Sequence, residues 1–338
     1  MFELLSRERL QRQFQHPELV LVANASAVFD DAAINWLMGN PGTVLADDRG
    51  QPLAVAVAVD SVSDARAAIE GGGGFPVATT KELGERFVRK LRRKSQMLAF
   101  SLDDVTSLKA ERLLFANVYK GITDIVTKWA WPVPAFVVTK IAARFGIPPN
   151  AVTAVGIILT LVATWLFYIG DIGGALIAAW TMTFLDTVDG KLARVTVTSS
   201  ELGNLLDHGT DIVHPPLWWL ALAHGLATIA PAESASIWLA CWIILGTYVL
   251  GRVIEKMFRN RFGFNAFLFA RFDSRFRLIV ARRNILLLIM SVGLAAGGLV
   301  AAFWACAIWS IFSTILQAVR LGQAKLASRT QALTPWIA

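Results

Sequence analysis

The segment from Asp186 to Asp211 holds the residues best suited to chemistry. It reads Asp186-Thr-Val-Asp189-Gly190-Lys-Leu-Ala193-Arg194, eight residues, Gly203, three residues, Asp207, three residues and Asp211. Asp186 and Asp189 lie about one helical turn apart, and Gly203, Asp207 and Asp211 recur at every fourth position. Each set therefore projects from one face of a helix. All four carboxylates stand at the ends of strongly apolar segments, where each would cost about 2.5–3.5 kcal/mol at bilayer depth and less near the interface. A purely structural use, with carboxylates paired to Lys191 and Arg194 to fix helix register, leaves excess negative charge. Two divalent cations balance four carboxylates, and an all-oxygen set suits Mg²⁺ first, with Mn²⁺ equally compatible. That is the chemistry of an enzyme acting on a phosphate-containing substrate.

The small residues support this reading. Gly190, Ala193 and Gly203 lie on or beside the faces that carry the aspartates, where a flat ligand could approach the backbone. Glycine in an apolar helix also serves close helix packing, but these positions sit at fixed offsets between acids and are read as shaping a nucleotide pocket. Arg194 has the fork geometry for phosphate oxygens, or else anchors the helix on the cytoplasmic side. His208 and His214, within and just beyond the cluster, are read as structural.

The elements that must position these residues follow from composition. Of 338 residues, 55% are hydrophobic and only 17% charged, against about a quarter charged in soluble domains, so a membrane protein is expected. Six spans of near the required ~20 residues are placed at Ala151–Gly170, Gly174–Arg194, Glu201–Thr228, Ser236–Phe258, Ile285–Val300 and Ala302–Ala324. The formal net charge of +7 reflects topology rather than nucleic-acid binding. The loop after the fourth span holds Arg259, Arg261, Arg271, Arg275, Arg277, Arg282 and Arg283, whereas the connections around 170–173, 228–235 and 297–301 hold no Lys or Arg. Basic loops stay inside, so both termini and the carboxylate cluster are expected to face the cytoplasm. Arg282 and Arg283 open the fifth span at the depth of the cluster and are candidates for binding an anionic acceptor. Cys241 and Cys306 lie in separate apolar stretches and suggest no disulfide or thiolate site. The polar, mixed-charge start of the chain has no signal-peptide pattern.

Ahead of the spans, about 100 residues read as soluble α/β. Leu19–Ala23 and Leu53–Val59 suit buried strands, and Asp31–Met38 and Ser63–Ile69 suit helices. Gly71–Gly74 reads as a flexible connection. Lys81–Lys94, with Leu83, Phe87 and Leu91 at every fourth position, predicts a basic helix, either solvated or resting on anionic headgroups. Val133–Phe145, amphipathic and preceded by Trp129 and Trp131, fits an interfacial helix.

The spacing D-x2-D-G-x2-A-R-x8-G-x3-D-x3-D resembles that of the CDP-alcohol phosphotransferases, with every fixed position present. The resemblance covers about Ile141–Ala324 and includes Pro149-Asn150-Ala-Val-Thr153, similar to the family's Pro-Asn-x-x-Thr start. It implies an all-α six-helix transmembrane bundle preceded by an interfacial helix, usually a homodimer, that transfers a substituted phosphate from a CDP-linked donor to an alcohol and releases CMP. By position, Asp186, Asp189 and Asp207 would be the core metal ligands. Asp211 would complete the metal site or accept the acceptor hydroxyl's proton. Gly190, Ala193, Arg194 and Gly203 would receive the cytidine diphosphate portion. CDP-diacylglycerol and a CDP-polar alcohol such as CDP-inositol are both open as donors.

The resulting organisation is a small α/β cytoplasmic domain at 1–100, a linker with the interfacial helix at 101–145, the membrane domain at 146–324 and a tail at 325–338. The N-terminal domain resembles part of a sugar-nucleotidyltransferase without its glycine-rich triphosphate loop, so it is expected to be inactive. A divalent-cation transporter and an inactive scaffold are the competing readings. Aspartates at the cytoplasmic helix ends argue against the first, because transporters bind near the midplane. Retention of all four aspartates and Arg194 argues against the second.

Overall fold

The computed structural model describes residues 19–88, 91–103, 105–196, 198 and 201–338, except for the side chains of residues 31, 201–208, 210 and 211. The chain divides into two compact units, one comprising residues up to Tyr119 with Val195–Val197, the other Lys120–Arg194 with Thr198–Ala338.

The first unit contains strands β1 (Leu19–Ala23), β2 (Ala27–Phe29), β3 (Val44–Ala46), β4 (Pro52–Ala58), β5 (Val77–Thr79), β6 (Glu85–Val88), β7 (Arg93–Gln96) and β8 (Ala99–Ser101). Its helices are α1 (Asp31–Gly39), α2 (Val62–Ile69), α3 (Thr80–Leu83) and α4 (Ser107–Asn117). The main sheet has the order β1-β4-β3-β5; β4 is antiparallel to both neighbours, and β3 is parallel to β5. β4 is an unbroken apolar run because both its faces are covered. Ala54 and Ala56 pack with Ala33 and Leu37 of α1, while Val55 and Val57 pack with Ala65 and Ala68 of α2.

The basic helix expected over Lys81–Lys94 does not form. Gly84, at φ +62°, ends α3 after one turn. The chain then makes an antiparallel hairpin in which Glu85 pairs with Gln96 and Val88 with Arg93. The spacing of Leu83, Phe87 and Leu91 spans a helix end, a strand and a turn, so its four-residue period is coincidental. Arg89 and Lys90 lie outside the described residues.

The second unit contains α5 (Pro132–Arg144), α6 (Pro149–Tyr168), α7 (Ile172–Val195), α8 (Glu201–Ile229), α9 (Ser234–Phe262), α10 (Arg271–Phe276), α11 (Arg283–Ala295) and α12 (Leu299–Ala327). Among the described residues, three helices are long and apolar enough to cross a membrane: Pro149–Tyr168, Pro231–Phe262 and Leu299–Ala327. Their outward faces are apolar, as lipid contact requires; Trp165, Trp242 and Ile308 are each more than half exposed. α11 has 13 residues and so reaches about 20 Å, short of a ~30 Å hydrocarbon core. The expected fifth span, Ile285–Val300, is cut at Ala295 by the turn through Gly297.

α6 and α8 lock together at two levels. The Trp218 indole N–H donates to the Thr160 carbonyl at 3.1 Å. Further along, Gly225 lies directly against the Phe167 carbonyl and the Gly170 backbone. α8 also contains Pro215 and Pro216. A proline at 216 withholds the N–H that the Ile212 carbonyl would otherwise accept. The Tyr248 hydroxyl of α9 donates to that carbonyl at 3.0 Å, the neighbour-helix rescue that makes such prolines tolerable in an apolar setting. Cys241 and Cys306 are buried free thiols.

Candidate active site

Asp186, Asp189, Gly190, Ala193 and Arg194 all lie on the last three turns of α7. Asp189 is buried and accepts a hydrogen bond from the Thr153 hydroxyl of α6 at 2.6 Å. Thr153 closes the Pro149–Thr153 motif, so two separate sequence signals meet at one carboxylate. Pro149 in the first turn supplies a preset φ where its missing N–H costs nothing, which starts α6 at the register that aims Thr153. Lys191 is also buried, its ammonium 3.4 Å from the Thr187 carbonyl one turn back.

Gly190 is open to the site rather than clamped by packing. A methyl added there would stand 3.5 Å from Arg194 Nη2, ordinary contact with the end of a flexible side chain. The contrast with Gly225, pressed on backbone, separates a glycine kept for space from one kept for helix contact.

Arg283, at the start of α11, donates to Asp186 Oδ2 at 2.5 Å. Its Nη1 lies 3.3 Å from His214 Nε2 and 3.7 Å from Met182 Sδ. The His214 ring meets Trp218 edge-on at 4.8 Å. Counting Lys191 and Arg194 as the basic neighbours therefore misses a third cation, 97 residues from Asp186 in sequence. Arg282 turns elsewhere, gripping both oxygens of Glu255 on α9 and lying 5.5 Å from the Phe267 ring centre.

The start of α11 is itself fixed by the segment ahead of α5. The Asn284 amide donates to Asp124 Oδ1 at 3.0 Å and to Thr127 Oγ1 at 3.2 Å. Asp124 also accepts from the Thr127 backbone N–H at 3.0 Å and the Thr127 hydroxyl at 2.9 Å, and the Ile125 N–H donates to the Leu278 carbonyl. Asp124 and Asn284 are both buried. Burial alone would raise the Asp124 pKa; hydrogen bonds from Thr127 and Asn284 and the Arg277 charge outweigh it and hold the carboxyl below its ordinary range. A depressed pKa stabilises the fold above the unfolded value and loses that contribution as pH falls through the folded one. Asp124→Asn should therefore lower stability at neutral pH by about 2 kcal/mol. Thermal melts in detergent should also show a shallower acid decline below about pH 4 than the wild type; parallel acid limbs would contradict this role.

Gly203, Asp207 and Asp211 lie on α8, as does His208, but their side chains are outside the described residues. Among the described residues, no group of three acidic, His or Cys side chains comes together.

Residues 146–312 match the model of the CDP-alcohol phosphatidyltransferase family. They form a CDP-alcohol phosphatidyltransferase domain. The domain begins seven residues ahead of Thr153 and ends beyond Arg283, so it contains Thr153 and Arg283, which contact Asp189 and Asp186 of α7. An archaetidylinositol phosphate synthase of Pyrococcus horikoshii is 39% identical over 74 residues, which is 21% of this chain and 38% of that protein. A choline/ethanolaminephosphotransferase 2 of Arabidopsis thaliana is 32% identical over 130 residues, 33% of this chain and 30% of that protein. The chain thus spans well under half the length of these curated relatives. The crystal structure of Mycobacterium tuberculosis phosphatidylinositol phosphate synthase with CDP-DAG bound is 18% identical, covering 55% of this chain and 92% of that one with a TM-score of 0.43. With its apolar helices, the phosphatidyltransferase domain makes this a membrane protein.

Proposed function

We propose that the chain is an integral membrane CDP-alcohol phosphotransferase of phospholipid or polar-lipid synthesis. It would cross the inner membrane six times, with α11 as a short fifth crossing met by local thinning of the bilayer, as a homodimer, with its site and both termini in the cytoplasm. The observation that carries this reading is the α7 face: a buried Asp189 held by Thr153, Asp186 one turn away, and an open Gly190 beneath Arg194. The donor is a CDP-linked molecule, either CDP-diacylglycerol or a CDP-polar alcohol such as CDP-inositol, and the acceptor is an alcohol or alcohol phosphate. The soluble unit is read as a nucleotidyltransferase relative that does not activate an alcohol.

The residues present suit a divalent ion: carboxylates of Asp186 and Asp189 with a threonine hydroxyl behind one of them make a hard, all-oxygen set. Asp186, Asp189, Asp207 and Asp211 would hold two Mg²⁺ or Mn²⁺ ions. When bound, these ions screen the diphosphate and stabilise the leaving CMP. The protein's own share is positional. Gly190, Ala193 and Gly203 leave room for the cytidine diphosphate, and Arg194 offers a fork to its phosphate oxygens. Asp211 takes the acceptor hydroxyl's proton. The acceptor oxygen then bonds to phosphorus as the bond to the CMP oxygen breaks.

The test is purified full-length protein with Mg²⁺, labelled CDP-donors and a panel of alcohols, scored for CMP release. Release that requires both donor and acceptor is expected. No release with any donor, together with cation flux in liposomes, would favour transport. Within this reading Thr153→Val removes the donor that orients Asp189. Orienting contacts behind a ligand are worth about 10–100-fold, so the Mg²⁺ concentration for half-maximal release should rise by about tenfold. An unchanged requirement would show that the Thr153 contact has no part in cation binding.

A further inference from the structure

Arg282 and Arg283 are adjacent yet serve different charges. Arg282 has its own counter-ion in Glu255, reinforced by the Phe267 ring. Arg283 has Asp186, in a half-buried pair at 2.5 Å, and the first acid of the motif is thus tied to a cation that the motif does not contain. This placement is not incidental to a mobile loop. The next residue, Asn284, is clamped through Asp124 and Thr127, and His214 and Met182 line the other side of the guanidinium.

We propose that Arg283 is a built-in counter-cation that competes with the divalent ion for Asp186. The inference rests on the reading above, in which Asp186 is a cation ligand. A guanidinium touching one carboxylate oxygen repels a dication on the same carboxylate, and little solvent intervenes to screen them. With no dication bound, the same charge relieves the repulsion between Asp186 and Asp189 and holds the head of α11 against α7. Arg283 thus stabilises the cation-free protein and weakens its hold on the cation, so the site loads and releases ions at a higher working concentration.

The experiment is Mn²⁺ titration of the full-length protein in detergent by electron paramagnetic resonance, without donor or acceptor, alongside thermal melts with and without Mn²⁺. Arg283→Gln should bind Mn²⁺ about tenfold more tightly, equivalent to about 1.4 kcal/mol. Its cation-free melting temperature should fall and its gain on adding Mn²⁺ should grow. Arg283→Lys, which keeps the charge, should stay within about twofold of the wild type. Unchanged or weaker binding in Arg283→Gln, or equal tightening in Arg283→Lys, would overturn the proposal. If Arg283→Gln does not survive purification, Arg283→Met prepared in excess Mn²⁺ replaces it; the proposal expects that protein to be folded, and its failure there counts against it. Wild-type Mn²⁺ binding that persists undiminished in Asp186→Asn would instead remove the cation-site reading, and this inference with it.

Discussion

Asp189→Asn should reduce CMP release by about a thousandfold, in line with losing one preorganised charge at a site of electrostatic stabilisation, while leaving the fold intact. Asp189 is buried and accepts a hydrogen bond from the hydroxyl of Thr153. An asparagine oxygen still accepts that hydrogen bond, and the side chain has nearly the same shape, so packing between α6 and α7 persists. What disappears is a negative charge. The rate should fall far more than the melting temperature, and excess Mg²⁺ should not restore it. A variant retaining a tenth or more of wild-type release would show that Asp189 serves structure rather than chemistry.

The second large effect is on stability. Gly225→Val places a branched side chain where a single added Cβ already collides with the Phe167 carbonyl and presses on the Gly170 backbone at 3.1 Å. Neither obstacle is a side chain that can swing away, so α6 and α8 must separate. Overpacking typically costs about 1–3 kcal/mol, and backbone contact with a branched residue belongs at the upper end. Separation would also strain the Trp218 bond to Thr160 and unsettle Thr153, which α6 carries. The melting temperature should drop by several degrees, with activity lost in parallel among the remaining folded molecules. Wild-type melting would mean that the α6–α8 approach is looser than described.

The parts of this molecule visible in sequence are those with short range. Asp186 and Asp189 share a face because helical periodicity demands it, and the α7 helix that carries them runs Ile172–Val195 against an expected Gly174–Arg194. β4 was legible because a strand covered on both faces must be apolar throughout. Contacts between distant segments were not. Arg283 lies 97 residues from Asp186, and Asn284 lies 160 from Asp124; neither pairing has a spacing signature. The position of Arg283 at the head of an apolar helix pointed to the site's depth but not to which group it would meet. The hairpin at Glu85–Gln96 was missed because a glycine with positive φ overrode an apparent helical period. Tyr248 was invisible for a related reason. Its importance comes from a carbonyl freed by Pro216 on another helix, and no local pattern in α9 announces it.

The most direct measurement is an anomalous-scattering map of the full-length protein with Mn²⁺ and a CDP-linked donor. Mn²⁺ density between α7 and α8, bounded by Asp186 and Asp189 on one side and by Asp207 and Asp211 on the other, with the donor diphosphate against it, is the expected result. An ion bound elsewhere, or the α8 acids turned away from those of α7, would contradict it.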